Sequence, residues 1–170
     1  MGSTNNSRKI LENITNLLSN FENTPKEING IRDTAWFRVG EDIFKEFFQL
    51  GQSVNWEFSK IKNQDTDNFL SIVDRNAKWL TSFIFLYPNF RLNCEFIGSA
   101  DNICQVRSGI DVFNRAFKEI NLGNNIIIKF NTEGELEEFD RCLKLWIDGG
   151  YRPDFVNERS NLFEEHWWWN

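Results

Sequence analysis

The sequence predicts an α+β fold, in which N-terminal amphipathic helices are followed by a small mixed β-sheet with helices packed on it. Apolar residues recur at steps of three and four in the first 62 residues, which is typical of helices. The stretches "RLNCEF" (91–96) and "NIIIKF" (125–130) instead have the alternation or the β-branched run of strands. Capping signals before the remaining apolar stretches predict further helices. The predicted order of elements in the C-terminal half is therefore hairpin, helix, strand and helix.

The first element is an amphipathic helix over residues 1–22, with Ser7 as its N-cap. The stretch "NTPKEING" (23–30) is typical of a loop, so residues 31–170 are predicted to form a single α+β domain. The helix could pack on that domain or dock on another chain. Its apolar face holds Leu11, Ile14, Leu18 and Phe21.

A second helix is predicted from about Gly40 to Lys62, and a third begins with Thr66 or Asp67 as its cap. The end of the third helix is ambiguous, because 81–87 could be its buried end or a short buried strand. The second helix has a wide apolar face of Ile43, Phe44, Phe47, Phe48, Leu50, Val54, Phe58 and Ile61, and the third passes through Phe69, Val73 and Leu80.

The hairpin is predicted from two alternating stretches, 91–96 and 102–108, joined by the turn "GSA". Apolar residues face each other when Leu92 pairs with Val106 and Cys94 with Cys104. The same register places Arg91 opposite Arg107. These like charges require a nearby carboxylate, a bound anion or a slipped register.

Two capping boxes define the remaining helices. Ser108 and Asp111 begin one that ends at Gly123, and Thr132 and Glu135 begin the last, which ends at "GGYRP". The last helix is predicted to bury Leu136, Phe139, Leu143 and either Trp146 or Ile147.

Composition excludes several classes of protein. The chain has 25 acidic and 19 basic residues, and the basic residues are dispersed, so nucleic-acid binding is not expected. No signal segment or apolar run of membrane-spanning length is present, which predicts a cytoplasmic protein without a membrane partner. Three cysteines without paired spacing and a single histidine do not make a zinc site, and no metal or cofactor is expected.

The predicted order of helix, three strands, helix, strand over about 40–130 resembles the core of PD-(D/E)XK nucleases, provided that 81–87 is a strand. The resemblance implies a metal-binding acid on the second strand and an acid-x-Lys pair on the third. The matching positions hold Glu95, Gln105 and Arg107. Glutamine is a poor magnesium ligand and arginine a poor base, so the resemblance implies a divergent or inactive nuclease-like domain.

The chain ends in "HWWWN", with His166 before Trp167, Trp168 and Trp169. Exposed indoles favour association, so these rings must be covered by the protein's own groove, by a partner or second copy, or by a membrane surface. Glu164 and Glu165, which precede them, argue against an anionic membrane. We interpret these four residues as partner-binding, because tryptophan is enriched at interface hot spots. With no other catalytic motif found, the sequence favours a non-catalytic protein-binding role over an enzyme. An inhibitor, an immunity- or antitoxin-like protein or an accessory subunit in a bacterial or phage system fits, and the nuclease-like domain is the alternative.

Overall fold

A computed structural model of the protein describes residues 2–28, 31–52, 63–93, 100–119 and 132–150. These residues form five helices and one minimal antiparallel hairpin, in which Glu27 faces Arg32 and Ile28 faces Ile31. In chain order the elements are α1 (Gly2–Asn23), β1 (Glu27–Ile28), β2 (Ile31–Arg32), α2 (Thr34–Gln52), α3 (Asn63–Asn93), α4 (Ala100–Glu119) and α5 (Thr132–Asp148).

The predicted α+β fold with a mixed sheet is wrong, because this part of the chain is almost entirely helical. Within it, strand pairing is limited to the two residues of β1 and the two of β2. The ambiguous stretch 81–87 is helical and lies inside α3. The predicted strand 125–130 falls outside the described residues.

The predicted hairpin is also wrong. Residues 91–93 are the end of α3 and residues 102–108 belong to α4, so Cys104 and Val106 cannot pair with Cys94 and Leu92 across a ladder. A helical period overrides the short alternation in α4, since Ile103, Val106 and Ile110 recur at steps of three and four and are all buried. Ser108, predicted as an N-cap, is a fully buried residue in the middle of this helix.

The N-terminal helix α1 packs on the body of the protein, against α2 and α3. It begins at Gly2, five residues before the predicted cap at Ser7. Its predicted apolar face is confirmed, because Leu11, Ile14, Leu18 and Phe21 are all buried in the core.

Helix α2 lies at the centre of the structure and begins earlier than the predicted Gly40. Asp33 caps it, accepting a 2.9 Å hydrogen bond from the backbone N–H of Ala35 through its carboxylate. The described part of the predicted apolar face is confirmed, with Ile43, Phe44, Phe47, Phe48 and Leu50 buried. Residues 53–62, which include Val54, Phe58 and Ile61, fall outside the described residues.

Helix α4 approaches α2 closely at Gly109. A methyl group at this position would overlap the backbone carbonyl of Phe44, so the two helix backbones meet without a side chain between them. Phe44 and Phe47 also make edge-to-face contacts with Phe113 of α4, with ring centroids 6.0 and 5.0 Å apart. The α2–α4 pair is therefore fixed by backbone proximity and by aromatic packing.

The core is rich in aromatic residues. The ring of Phe83 on α3 stacks on Phe44 at 5.5 Å and lies 4.9 Å from the ring of Tyr87. Trp36 contacts Phe83 edge to face at 6.0 Å and stacks on Phe21 of α1 at 5.2 Å. One aromatic cluster thus joins the first three helices. None of the described helices combines the length and the apolar character that crossing a membrane requires.

Candidate functional site

The structure describes two of the residues predicted from the nuclease resemblance, and both lie on α4. Gln105 and Arg107 are buried in the middle of this helix. Residues two apart share one side of a strand but project about 200° apart around a helix, so these two cannot form the strand pair that the resemblance implies. Glu95, the third residue, falls outside the described residues, as do His166, Trp167, Trp168 and Trp169.

Arg107 is held by two carboxylates. Its Nε and one terminal nitrogen donate to the two carboxylate oxygens of Asp140 on α5, at 2.6 and 3.1 Å, and its other terminal nitrogen donates to Asp111 at 2.6 Å. Burial alone would lower the pKa of Arg107, but the hydrogen bonds and charges of Asp140 and Asp111 outweigh it and raise that pKa. The guanidinium therefore remains charged and links α4 to α5. The strand register that placed Arg107 opposite Arg91 is wrong, because the two arginines lie on different helices.

Arg91 has its own carboxylate, Glu41 of α2. Its Nε donates to Oε2 of Glu41 at 2.9 Å, a terminal nitrogen donates to the same oxygen, and Lys45 lies 4.0 Å from Oε1. The buried hydroxyl of Tyr87 also donates to Oε2 of Glu41. Burial and the charge of Glu41 raise the pKa of Tyr87 well above its ordinary value, so the phenol keeps its proton. This network ties α3 to α2 and serves the fold.

No metal centre is formed by the part of the chain that the structure describes. Across its helices, no group of three histidine, cysteine, aspartate or glutamate side chains could hold a metal ion. Cys142 is buried on α5, with its sulfur 3.7 Å from Oε1 of Glu138. Burial and the Glu138 carboxylate raise the pKa of Cys142, which makes its thiol a poor nucleophile.

A narrow apolar crevice lies where α3, α4 and α5 meet. It is too narrow to hold a water molecule. The residues that line it are Pro88 of α3, Ile103 of α4, and Phe139, Cys142, Leu143 and Trp146 of α5.

Among the described residues, two large apolar side chains are exposed on helices that contribute to this crevice. Phe85 of α3 is 51 % exposed and Leu145 of α5 is 55 % exposed. Phe85 precedes the crevice residue Pro88 by three positions, and Leu145 follows Cys142 by three, so each is a surface neighbour of a lining residue on its own helix. We call the crevice together with Phe85 and Leu145 the α3–α5 apolar face. Its side chains are apolar apart from the Cys142 thiol.

This face was not predicted from the sequence. Leu145 does not belong to the buried stripe of Phe139, Leu143 and Trp146, and Phe85 lies in the stretch whose structure was ambiguous. A large apolar residue off the buried stripe of an amphipathic helix is a signal that could have identified Leu145.

The described residues thus form an aromatic-rich set of helices with a narrow apolar crevice. No protein-family model matches the sequence, and no solved structure matches it.

Proposed function

We propose that the protein acts by binding another protein and has no catalytic role of its own. It would serve as an inhibitor, as an immunity- or antitoxin-like protein, or as an accessory subunit of a larger assembly, in the cytoplasm of a bacterium or of a phage-infected cell. The contact residues are the α3–α5 apolar face and the residues that the sequence assigned to partner binding, His166, Trp167, Trp168 and Trp169.

The observation that supports this proposal most is the exposure of two large apolar side chains, Phe85 of α3 and Leu145 of α5. These side chains lie on two helices that pack on each other, and large exposed apolar side chains favour association with another protein. The buried charges support it as well. Glu41 and Arg107 are bonded to residues on neighbouring helices, and this use of charge stabilises packing.

Affinity purification from the source organism tests the proposal. The tagged full chain is compared with a Phe85→Ser/Leu145→Ser variant and with Lys144→Ser, which changes an exposed polar neighbour on the same helix. We expect a stable protein partner with the wild type and with Lys144→Ser. Calorimetry with the purified partner should show binding to the double variant that is at least about tenfold weaker, as for loss of an interface hot spot. Equal binding by all three proteins would contradict the role of this face.

A metal titration tests the absence of catalysis. Purified protein is incubated with single- and double-stranded DNA and RNA in the presence of Mg²⁺ or Mn²⁺, and we expect no cleavage. Metal-dependent cleavage that disappears in Glu95→Ala would contradict the non-catalytic role.

A further inference from the structure

We propose that the surface formed by Lys26, Lys78 and Trp79 binds an acidic segment of a protein partner. This inference rests on the proposed function, because it names the chemistry of one contact with that partner. The surface shares no residue with the α3–α5 apolar face, and it differs from that face in carrying two positive charges.

The fold brings two lysines that are far apart in sequence to one indole ring. Lys26 follows α1, whereas Lys78 and Trp79 belong to α3. The Nζ atoms of Lys26 and Lys78 lie 5.2 and 5.7 Å from the centroid of the Trp79 ring. An ammonium group at such a distance is attracted by the negative face of an indole. The ring therefore holds two positive charges in one patch.

The patch is anchored to the core. Trp79 is partly buried against the core, and its ring meets that of Trp36 edge to face at 6.5 Å. Lys26 also donates a 2.9 Å hydrogen bond to the backbone carbonyl of Glu22, near the end of α1. Lys78 is exposed, so its charge faces solvent. The charges are thus presented from a ring that the core holds in place.

The carboxylates of the described chain do not neutralise these two lysines. Among the residues that the structure describes, neither lysine forms an ion pair with a carboxylate, and this includes Asp74, one turn before Lys78 on α3. The hydrogen bond from Arg75 lowers the pKa of Glu22, and the charge of Lys26 adds to that effect. Both oxygens of Glu22, however, bond Arg75, at 3.0 and 3.3 Å. A partner's carboxylates can therefore pair with the two lysines without breaking an ion pair of the described chain.

The charge of the whole chain favours an acidic peptide segment over a nucleic acid. With 25 acidic and 19 basic residues, the protein repels a long phosphate backbone. Single strands are also bound by stacking of bases on aromatic rings, and here a base would have to displace ammonium groups from the indole. A short acidic segment needs only the local charges, which act over about one Debye length, roughly 10 Å.

Fluorescence anisotropy with defined probes and the purified full chain tests this inference. The probes are fluorescein-labelled octaglutamate, the matched octaglutamine and an oligothymidylate of the same length. We expect octaglutamate to bind at least about tenfold more tightly than either of the other two. Lys26→Gln/Lys78→Gln should weaken that binding at least about tenfold. The control Lys9→Gln/Lys144→Gln changes two exposed lysines elsewhere, and thus alters the net charge equally, and should bind like the wild type.

A third variant separates the indole from the charges. Trp79→Leu keeps both lysines and should bind octaglutamate about threefold more weakly, because it removes the ring that holds them. Circular dichroism checks that the variant is folded. Binding equal to that of the wild type would contradict the role of the indole.

Three further results would overturn the inference. Equal affinities for octaglutamate and octaglutamine, or no binding of either, would show that the surface does not select carboxylates. Equal weakening by the two double lysine variants would assign the binding to net charge. Tighter binding of the oligothymidylate would assign the surface to nucleic acid. The probes contain no natural partner, so this inference can fail while affinity purification still supports the proposed function, and the reverse also holds.

Discussion

The hydroxyl of Tyr87 donates a 2.7 Å hydrogen bond to Oε2 of Glu41, and both residues are buried. This bond and the Arg91 guanidinium satisfy a carboxylate that would otherwise be costly to hold inside a protein. The pairing fixes one position of α3 against one position of α2. The registry of these two helices therefore depends on a polar contact as well as on the aromatic packing around it.

Glu41→Ala should lower the free energy of unfolding by about 3 kcal/mol, because it leaves the charge of Arg91 and the hydroxyl of Tyr87 without their common partner. Tyr87→Phe removes only one hydrogen bond and should lower it by about 1 kcal/mol. Urea unfolding followed by circular dichroism measures both changes. Glu12→Ala, which breaks an exposed ion pair with Arg8, is the control. This substitution should change the free energy of unfolding by less than about 0.5 kcal/mol. Similar values for Glu41→Ala and Glu12→Ala would refute the stabilising role of the network.

Arg107→Lys should destabilise the protein although it keeps the charge. The arginine bonds both oxygens of Asp140 and one oxygen of Asp111, and a lysine ammonium cannot reproduce that planar fork in a buried site. We expect a loss of about 2 kcal/mol in urea unfolding. The matched control is Arg141→Lys, in which an exposed arginine paired with Glu138 is changed in the same way, and its effect should be near zero. If the two substitutions had equal effects, the α4–α5 link would not depend on the geometry of Arg107.

Gly109→Ala should destabilise the protein by about 2 kcal/mol or more. Alanine favours a helix over glycine by about 1 kcal/mol, but the new methyl group would overlap the backbone carbonyl of Phe44 and push α4 away from α2. Gly150→Ala is the comparison. Nothing lies within 4 Å of its added methyl group, so only the left-handed backbone opposes it, at about 1 kcal/mol. Thermal unfolding of the two variants gives the comparison, and a Gly109→Ala variant at least as stable as the wild type would show that the helices can separate freely.

The helices could be predicted from the sequence wherever one side of the helix is polar. The buried stripe of α1 and the described part of that of α2 were identified correctly, and so was that of α5 except that Leu136 is only partly buried. Apolar and polar residues alternate there with a helical period over several turns. In α4, all residues from 103 to 110 are buried, so polarity no longer separates an inner from an outer side. A short alternation of the apolar Cys104 and Val106 with the polar Gln105 and Arg107 then resembled a strand. The signal failed because Arg107 is buried with Asp140 of α5 and Asp111 of α4 as its partners, and the pairing with α5 cannot be seen in a local pattern.

The candidate site was less predictable than the fold. The α3–α5 apolar face is assembled from residues of α3, α4 and α5 that are far apart in sequence, and its crevice depends on how these helices meet. The predicted nuclease positions require a strand. Gln105 and Arg107 lie in the helix α4, so these two residues cannot fill those positions. The three tryptophans, in contrast, are conspicuous in the sequence, although they lie outside the described residues.

The stability of the protein should depend on pH through two carboxyl groups of α2. Asp42 and Glu46 lie one turn apart on α2, and partial burial raises the pKa of both carboxyl groups, with Glu41 adding to the effect on Asp42 and Asp42 to that on Glu46. The folded protein therefore holds protons that the unfolded chain has already released. As the pH rises from the ordinary carboxyl pKa through the raised folded values, stability must fall.

The double substitution Asp42→Asn/Glu46→Gln should remove this loss of stability at higher pH. The variant should melt at a higher temperature than the wild type at pH 7, and the difference should shrink toward pH 3.5, where the wild-type carboxyl groups are protonated. Glu22→Gln is the opposing control. Its hydrogen bond with Arg75 lowers the pKa of Glu22, so its contribution is present at pH 7 and disappears as the pH falls. Melting temperatures measured from pH 3.5 to 7.5 would refute the prediction if the double variant were less stable than the wild type at pH 7, or if the difference did not change with pH.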